Sequence, residues 1–299
     1  MKKIQLYIIS GFLGSGKTTL LVQLIKQWQD QKVAILMNEY GGFNVDSKIL
    51  GDAVPSHELL NGCICCDLKS DVEVQLHDMK HRYQPDIIII EATGVAHPVE
   101  IYDACSAPSL TEILDIQAVV TLVDGPRFLD RGKLSVMTKR LMEEQVQYAH
   151  IVLLNKCDLL DEQEVGRLQS DITAINQRAE LIMTTYSQVD AVQLAASGAA
   201  FEAGPHSHHG IQSLVYTFTG PVNSRRFVDW LRSMPSSILR VKGFIKFQEN
   251  PEQVVLFQYA YGIPQYEPEA MNLPLKLVII GEALDKSRLL DQLDQLQFG

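Results

Sequence analysis

Short runs of Val, Ile and Leu recur along the first two thirds of the chain, at residues 4–9, 33–37, 87–90, 118–123 and 151–154. The run at 87–90 is apolar on both faces. Such runs predict strands covered by helices on both sides, the pattern of a mostly parallel sheet. Between them, apolar residues fall at helical spacing over 18–29, 137–148 and 162–176. This alternation predicts a doubly wound α/β domain. The pattern changes near residues 204–210, where small polar residues between Gly and Pro read as an exposed linker. Beyond it, strands are expected at 211–219, 238–248, 254–261 and 275–280, and helices at 224–233 and 286–296. Neighbouring strands with few helices predict a smaller α+β domain on an antiparallel sheet. The expected organisation is a first domain over 1–205, a linker at 206–210 and a second domain over 211–299.

A chain of 299 residues has room for roughly two such domains. Its 46% hydrophobic and 21% charged residues exclude disorder and low complexity. The formal charge is −10, which argues against broad nucleic-acid binding but leaves room for one nucleotide. No apolar stretch approaches the roughly 20 residues of a membrane span, so no membrane partner is expected. Ser10 and Gly11 interrupt the first apolar run too early for an export signal, so a cytoplasmic location is expected.

Gly11-Phe12-Leu13-Gly14-Ser15-Gly16-Lys17-Thr18 is a full phosphate-loop pattern between a strand and a helix. Glycines there let successive N–H groups turn inward around phosphate oxygens, and the helix N-terminus adds partial positive charge. Gly11, Gly14, Ser15, Gly16, Lys17, Thr18 and Thr19 are the candidate phosphate-binding residues. Lys17 is placed for the β- and γ-phosphates and Thr18 for Mg²⁺. Asn155-Lys156-Cys157-Asp158 follows a strand and points to guanine. The Asp158 carboxylate suits the N1–H and N2–H₂ donors, which adenine lacks. Asn155 is expected to hold the loop and meet the base N7. Glu91, ending the strand at 87–90, and Asp46 are candidates for positioning metal or attacking water. Gly94 is a candidate γ-phosphate contact on a nucleotide-sensing loop. Asp124 also ends a strand and is left outside this set. No glutamine stands out as a water-orienting group, so slow turnover is expected.

Three of the five cysteines, Cys63, Cys65 and Cys66, occupy four successive positions. Neighbours so close rarely bridge each other. Thiolates select soft or borderline metals such as Zn²⁺, Co²⁺ or Cu⁺. A redox pair or chance clustering is the alternative. The set falls short of a closed four-ligand site, which suggests an exchangeable metal completed by Glu39, solvent or a partner. Cys105 and Cys157 are isolated and read as small apolar residues.

This combination resembles the CobW-like metallochaperone GTPases, relatives of the GTPases that load nickel into urease and hydrogenase. The resemblance spans essentially the whole chain. It rests on the phosphate loop, Asn38-Glu39-Tyr40-Gly41 with Asp46, Asn61-Gly62-Cys63-Ile64-Cys65-Cys66, Glu91-Ala92-Thr93-Gly94 with Pro98, Asn155 to Asp158, and Arg240-Val241-Lys242-Gly243-Phe244. The thiol triplet joined to a phosphate loop is the distinctive part. Gly42 stands where relatives often carry a metal-ligand Glu, and His150 where an Asp is common. His206, His208 and His209 form a much shorter tract than in many relatives. The resemblance implies a P-loop GTPase domain followed by a CobW-like C-terminal domain. It implies GTP hydrolysis, Mg²⁺ at Thr18, zinc (or cobalt) at Cys63, Cys65 and Cys66 with Glu39, and delivery to a client metalloprotein. Homodimer formation is compatible with it. The competing functions are a P-loop kinase with structural thiols and a metal buffer regulated by GTP.

Overall fold

In the computed structural model, which describes residues 2–37, 56–58, 68–194, 210–260 and 262–299, the apolar run of β1 (Ile4–Ser10) forms the middle of a seven-stranded sheet. The other strands are β2 (Val33–Met37), β3 (Ser56–Glu58), β4 (Ile87–Glu91), β5 (Leu114–Asp124), β6 (Ile151–Asn155) and β7 (Glu180–Met183). Their order is β3-β2-β4-β1-β5-β6-β7, and every neighbouring pair is parallel. The helices are α1 (Lys17–Gln27), α2 (Leu68–Tyr83), α3 (Pro98–Cys105), α4 (Gly125–Leu129), α5 (Val136–Gln147) and α6 (Glu162–Ile175).

Burial on both faces explains the continuous apolar runs. Ile151 and Leu153 of β6 join a core with Leu20, Leu21 and Leu24 of α1. Val152 and Leu154 face the opposite core with Met142, Val146, Leu168 and Ile172. Alternate residues therefore enter different apolar layers, and none can be polar without losing burial. Caps fix the helix ends. The Ser135 hydroxyl accepts from Thr138 N–H, and Asp161 with Glu164 forms a reciprocal capping box. Asn176, just past α6, donates to the carbonyls of Val146, Gln147 and Ala149.

The strand order reverses at β1. The chain runs outward to β2 and β3, returns to β4, then crosses to β5 on the other side. Such a switch point opens a crevice at the carboxyl ends of the strands. The loops after β1, β4, β5 and β6 start there.

The described chain divides into two compact units, Met1–Cys105 with Glu112–Gly210 and Ser106–Thr111 with Ile211–Gly299. The second unit holds an antiparallel sheet ordered β11-β10-β9-β12-β8. Its strands are β8 (Ile211–Thr217), β9 (Ile238–Phe247), β10 (Asn250–Ala260), β11 (Ile263–Glu269) and β12 (Lys276–Glu282). Helices α7 (Ser224–Arg232) and α8 (Lys286–Phe298) supply Phe227, Trp230, Leu289, Leu293 and Leu296 to its core. Gly243 in β9 has φ 155°, and a Cβ there would collide with the Lys276 carbonyl. This is the glycine of the Arg240 to Phe244 segment.

Several elements lack a strong signal in the sequence. α2 is mostly polar, and over residues 72–83 its buried side chains are Val72, Leu76 and Met79. β3 and β7 are three and four residues long. β11 carries Pro264 and Pro268, which a strand tolerates because it lies at the sheet edge. The two edge prolines also blunt a surface that would otherwise pair with another chain.

Candidate nucleotide site

The loop after β1 turns because three glycines adopt positive φ: Gly11 at 133°, Gly14 at 78° and Gly16 at 106°. A Cβ on Gly11 would strike the Leu122 carbonyl of β5. One on Gly16 would come within 2.6 Å of Asn155 Nδ2 and 2.5 Å of Ser187 Oγ. Two glycines therefore press the loop against the sheet, while the Cβ side of Gly14 is open. Lys17 is buried and donates to the Gly11 carbonyl at 2.9 Å and the Phe12 carbonyl at 3.3 Å. Its ammonium thus lies against the loop that the pattern assigns to phosphate. The first turn of α1 carries no acidic side chain to neutralise its positive end. The Ser15 hydroxyl is buried with no hydrogen-bond partner among the described residues. This donor set fits a phosphate chain. Thr19 lies exposed on the first turn of α1.

Thr18 Oγ1 donates to Glu91 Oε1 at 3.3 Å. The phosphate loop and the end of β4 thus meet through a hydroxyl and a carboxylate. Two hard oxygens suit Mg²⁺ better than a thiophilic metal.

The chain around β6 braces this loop from the other side. Asn155 is 2% exposed, and its Nδ2 donates to the Ser15 carbonyl at 2.8 Å and Ser187 Oγ at 2.9 Å. Its Oδ1 accepts from Ser187 N–H at 2.9 Å. Ser187 Oγ in turn donates to the Gly16 carbonyl. Both amide hydrogens of Asn155 are engaged, so it holds the loop but offers none to a base N7. Lys156 adopts a left-handed conformation, φ 64°, and its ammonium pairs with the Asp124 carboxylate. Asp158 lies exposed in the one-turn helix Cys157–Leu159, open to solvent. Cys157 donates to the Leu154 carbonyl, and burial pushes its thiol up.

The loop after β4 is gripped by α5. Gln145 is 1% exposed and donates to the carbonyls of Gly94 and Ala96, both at 3.3 Å. His97 lies 3.4 Å from Glu144, and its Nδ1 accepts from Val99 N–H at the start of α3. A Cβ on Gly94 would lie 2.6 Å from Leu13 N, so glycine is what lets this loop approach the phosphate loop.

Ser187, Gln145, Asp124 and Arg127 all act on these loops; the sequence reading noted Asp124 but left it outside the site, and did not single out the other three. Asp124 alone had a visible signal, a carboxylate at a strand end before Gly-Pro. The others contact the loops from positions 32 to 171 residues away in sequence. Glu39, Asp46, Cys63, Cys65, Cys66, His206, His208 and His209 lie outside the described residues. Among the described residues, no group of three or more His, Cys, Asp or Glu side chains is positioned to hold a metal.

The family description "CobW/HypB/UreG, nucleotide-binding domain" matches residues 5–183, and "Cobalamin synthesis protein cobW C-terminal domain" matches residues 211–297. The zinc chaperone YjiA of Escherichia coli is 31% identical over 281 residues, covering 86% of each chain. The zinc-regulated GTPase metalloprotein activator 1 of Dictyostelium discoideum is 27% identical over 344 residues, covering 92% of this chain and 72% of that protein. The crystal structure of Zn(II)-bound YjiA GTPase superposes with TM-score 0.54 at 24% identity, covering 99% of both chains, and shares the fold.

Proposed function

The chain belongs to the CobW/HypB/UreG family of GTPases, and on that premise we propose that it hydrolyses GTP to govern loading and delivery of a transition metal. Zinc is the first choice and cobalt the second. The cargo is held on the Cys63, Cys65 and Cys66 thiolates, with Glu39 as a further ligand. One observation supports this above the others. Glu58, Met37 and Glu91 lie side by side in register at the ends of β3, β2 and β4. Parallel neighbours are about 4.8 Å apart. The chain therefore leaves β2 and β3, toward Glu39 and the thiols, at the same end of the sheet at which Glu91 meets Thr18.

In this reading the backbone N–H groups of residues 14–18 cradle the phosphates. Lys17 exchanges its carbonyl partners for β- and γ-phosphate oxygens. Thr18, helped by Glu91 or Asp46, would hold Mg²⁺, which would offset negative charge on the transferred phosphoryl group. Asp158 selects guanine through N1–H and N2–H₂. Gly94 senses the γ-phosphate. Gln145 is engaged with two carbonyls rather than aimed at a water, consistent with slow turnover. Loss of the γ-phosphate contacts relaxes the loop after β4 and alters the neighbouring thiol segment. Residues 1–205 are assigned to this cycle and residues 211–299 to the client surface. The cytoplasm, where thiols stay reduced, suits the activity.

Competition for zinc against a chromophoric chelator tests the cargo site. Cys65→Ala and the triple Cys63, Cys65 and Cys66→Ala variant should lose tight zinc binding and retain GTP binding. A triple variant with full zinc affinity would move the site elsewhere in the chain.

A further inference from the structure

We infer that Asp124 and Arg127 form a relay through which the base-recognition loop sets the geometry of the phosphate loop. The inference rests on the nucleotide site proposed above and adds two positioning residues to it. Asp124 ends β5 and caps α4. One carboxylate oxygen, Oδ1, accepts from Arg127 N–H at 3.1 Å, and the other, Oδ2, receives the Lys156 ammonium. Arg127 then reaches the opposite way. Its Nη1 donates to the Leu13 carbonyl at 3.2 Å, and its guanidinium lies 4.6 Å over the Phe12 ring.

One four-residue turn thus touches the guanine loop at one end and the phosphate loop at the other. Gly125 makes the short span workable. A Cβ there would lie 2.7 Å from Leu160 Cδ1 and 3.2 Å from the Asn155 carbonyl, so the turn rests directly on the base loop. Pro126 follows at the start of α4 and fixes its backbone φ.

The chemistry gives the relay a direction. Lys156 precedes by two residues Asp158, the residue to which the proposed function gives the base. A bound base therefore fixes Lys156, and Lys156 fixes Asp124. Through α4 this holds Arg127 on Leu13. The Leu13 carbonyl must point away from phosphate if the N–H groups of residues 14–18 are to point toward it. Arg127 holds that carbonyl outward. A lysine is a poor substitute, because it lacks the planar group that donates to Leu13 while stacking on Phe12.

The test measures GTP and tripolyphosphate binding by calorimetry, with Mg²⁺, for wild type, Asp124→Asn, Arg127→Ala, Arg127→Lys and the Asp124→Asn/Arg127→Ala double variant. Tripolyphosphate has no base and reads the phosphate loop alone. Asn keeps the size and helix-capping ability of Asp while removing the charge. If Asp124→Asn does not fold, Asp124→Ser, also a good cap, replaces it.

Asp124→Asn should weaken GTP about tenfold and Arg127→Ala about a hundredfold, because the latter loses its hold on Leu13 as well as the relay, with Arg127→Lys no better than Arg127→Ala. The double variant should bind about as weakly as the worse single one, because both changes break the same relay. Tripolyphosphate should bind about tenfold more weakly to Arg127→Ala and normally to Asp124→Asn. Single-variant losses that multiply to about a thousandfold in the double variant would make the contacts independent and overturn the relay. So would unchanged GTP affinity in both single variants. A wild-type protein that binds tripolyphosphate but not GTP would overturn the base site itself, a result distinct from failure of the relay alone.

Discussion

Asn155 and Asp158 share one motif and have opposite environments. Asn155 is buried and makes three hydrogen bonds to the Ser15 and Ser187 segments. Asp158 faces solvent. Truncating Asn155 leaves buried backbone groups without partners, a loss of about 1–3 kcal/mol. Asn155→Ala should therefore lower the denaturation midpoint and weaken GTP together. Asp158→Ala should leave the midpoint unchanged and weaken GTP by about 2–3 kcal/mol, the scale of hydrogen bonds to a charged group. Chemical denaturation and direct nucleotide titration separate the two, and equal ATP and GTP affinity in wild type would contradict the guanine assignment. Lys17→Ala should remove most hydrolysis, read as phosphate release. The motif told which residue types to expect here, because their chemistry is local. It did not tell that both Asn155 amide hydrogens are engaged, since one partner, Ser187, lies 32 residues on.

At the scale of elements, the long runs were the legible ones. Strands β1, β2, β4, β5 and β6 are apolar on both faces, so composition alone marks them. α1, α5 and α6 carry apolar residues at helical spacing and lie within two residues of the spans expected. α2, β3, β7 and β11 are short, polar or proline-bearing, and tertiary position overrides their weak signals. The loop after β4 shows the same limit. Its sequence suggests a sensor, but the residue that grips it, Gln145, lies about fifty positions away on an ordinary amphipathic helix. Gln145→Leu removes the donor to the Gly94 and Ala96 carbonyls while keeping an apolar side chain of similar size. Amide exchange over residues 93–97 should then accelerate with β1 and β6 unchanged, and kcat should fall with little change in KM. Unaltered exchange in that segment would show that the clamp does not restrain the loop.

For the whole molecule, the sequence made the succession of an α/β part and an antiparallel part readable, because each has its own hydrophobic period. Strand order was not readable, since it depends on pairing across the sheet. That order puts the ends of β3, β2 and β4 level beside Thr18 and Glu91. In the proposed function, a γ-phosphate that orders the loop after β4 acts also on the chain that continues from β2 and β3 at this end of the sheet. Metal affinity should fall as pH drops, because thiolate ligands must lose their protons before binding. The central claim is that nucleotide and metal act on each other. Coupling of about 1–3 kcal/mol, roughly 5–150-fold, is usual for such a switch, and it is reciprocal. The direct measurement is zinc affinity by chelator competition with GTP, with GDP and without nucleotide, with GTP affinity measured in turn with and without zinc. The account predicts different zinc affinities in the GTP and GDP states, and the same factor in the reverse titration. Equal zinc affinity in all three nucleotide states would contradict it.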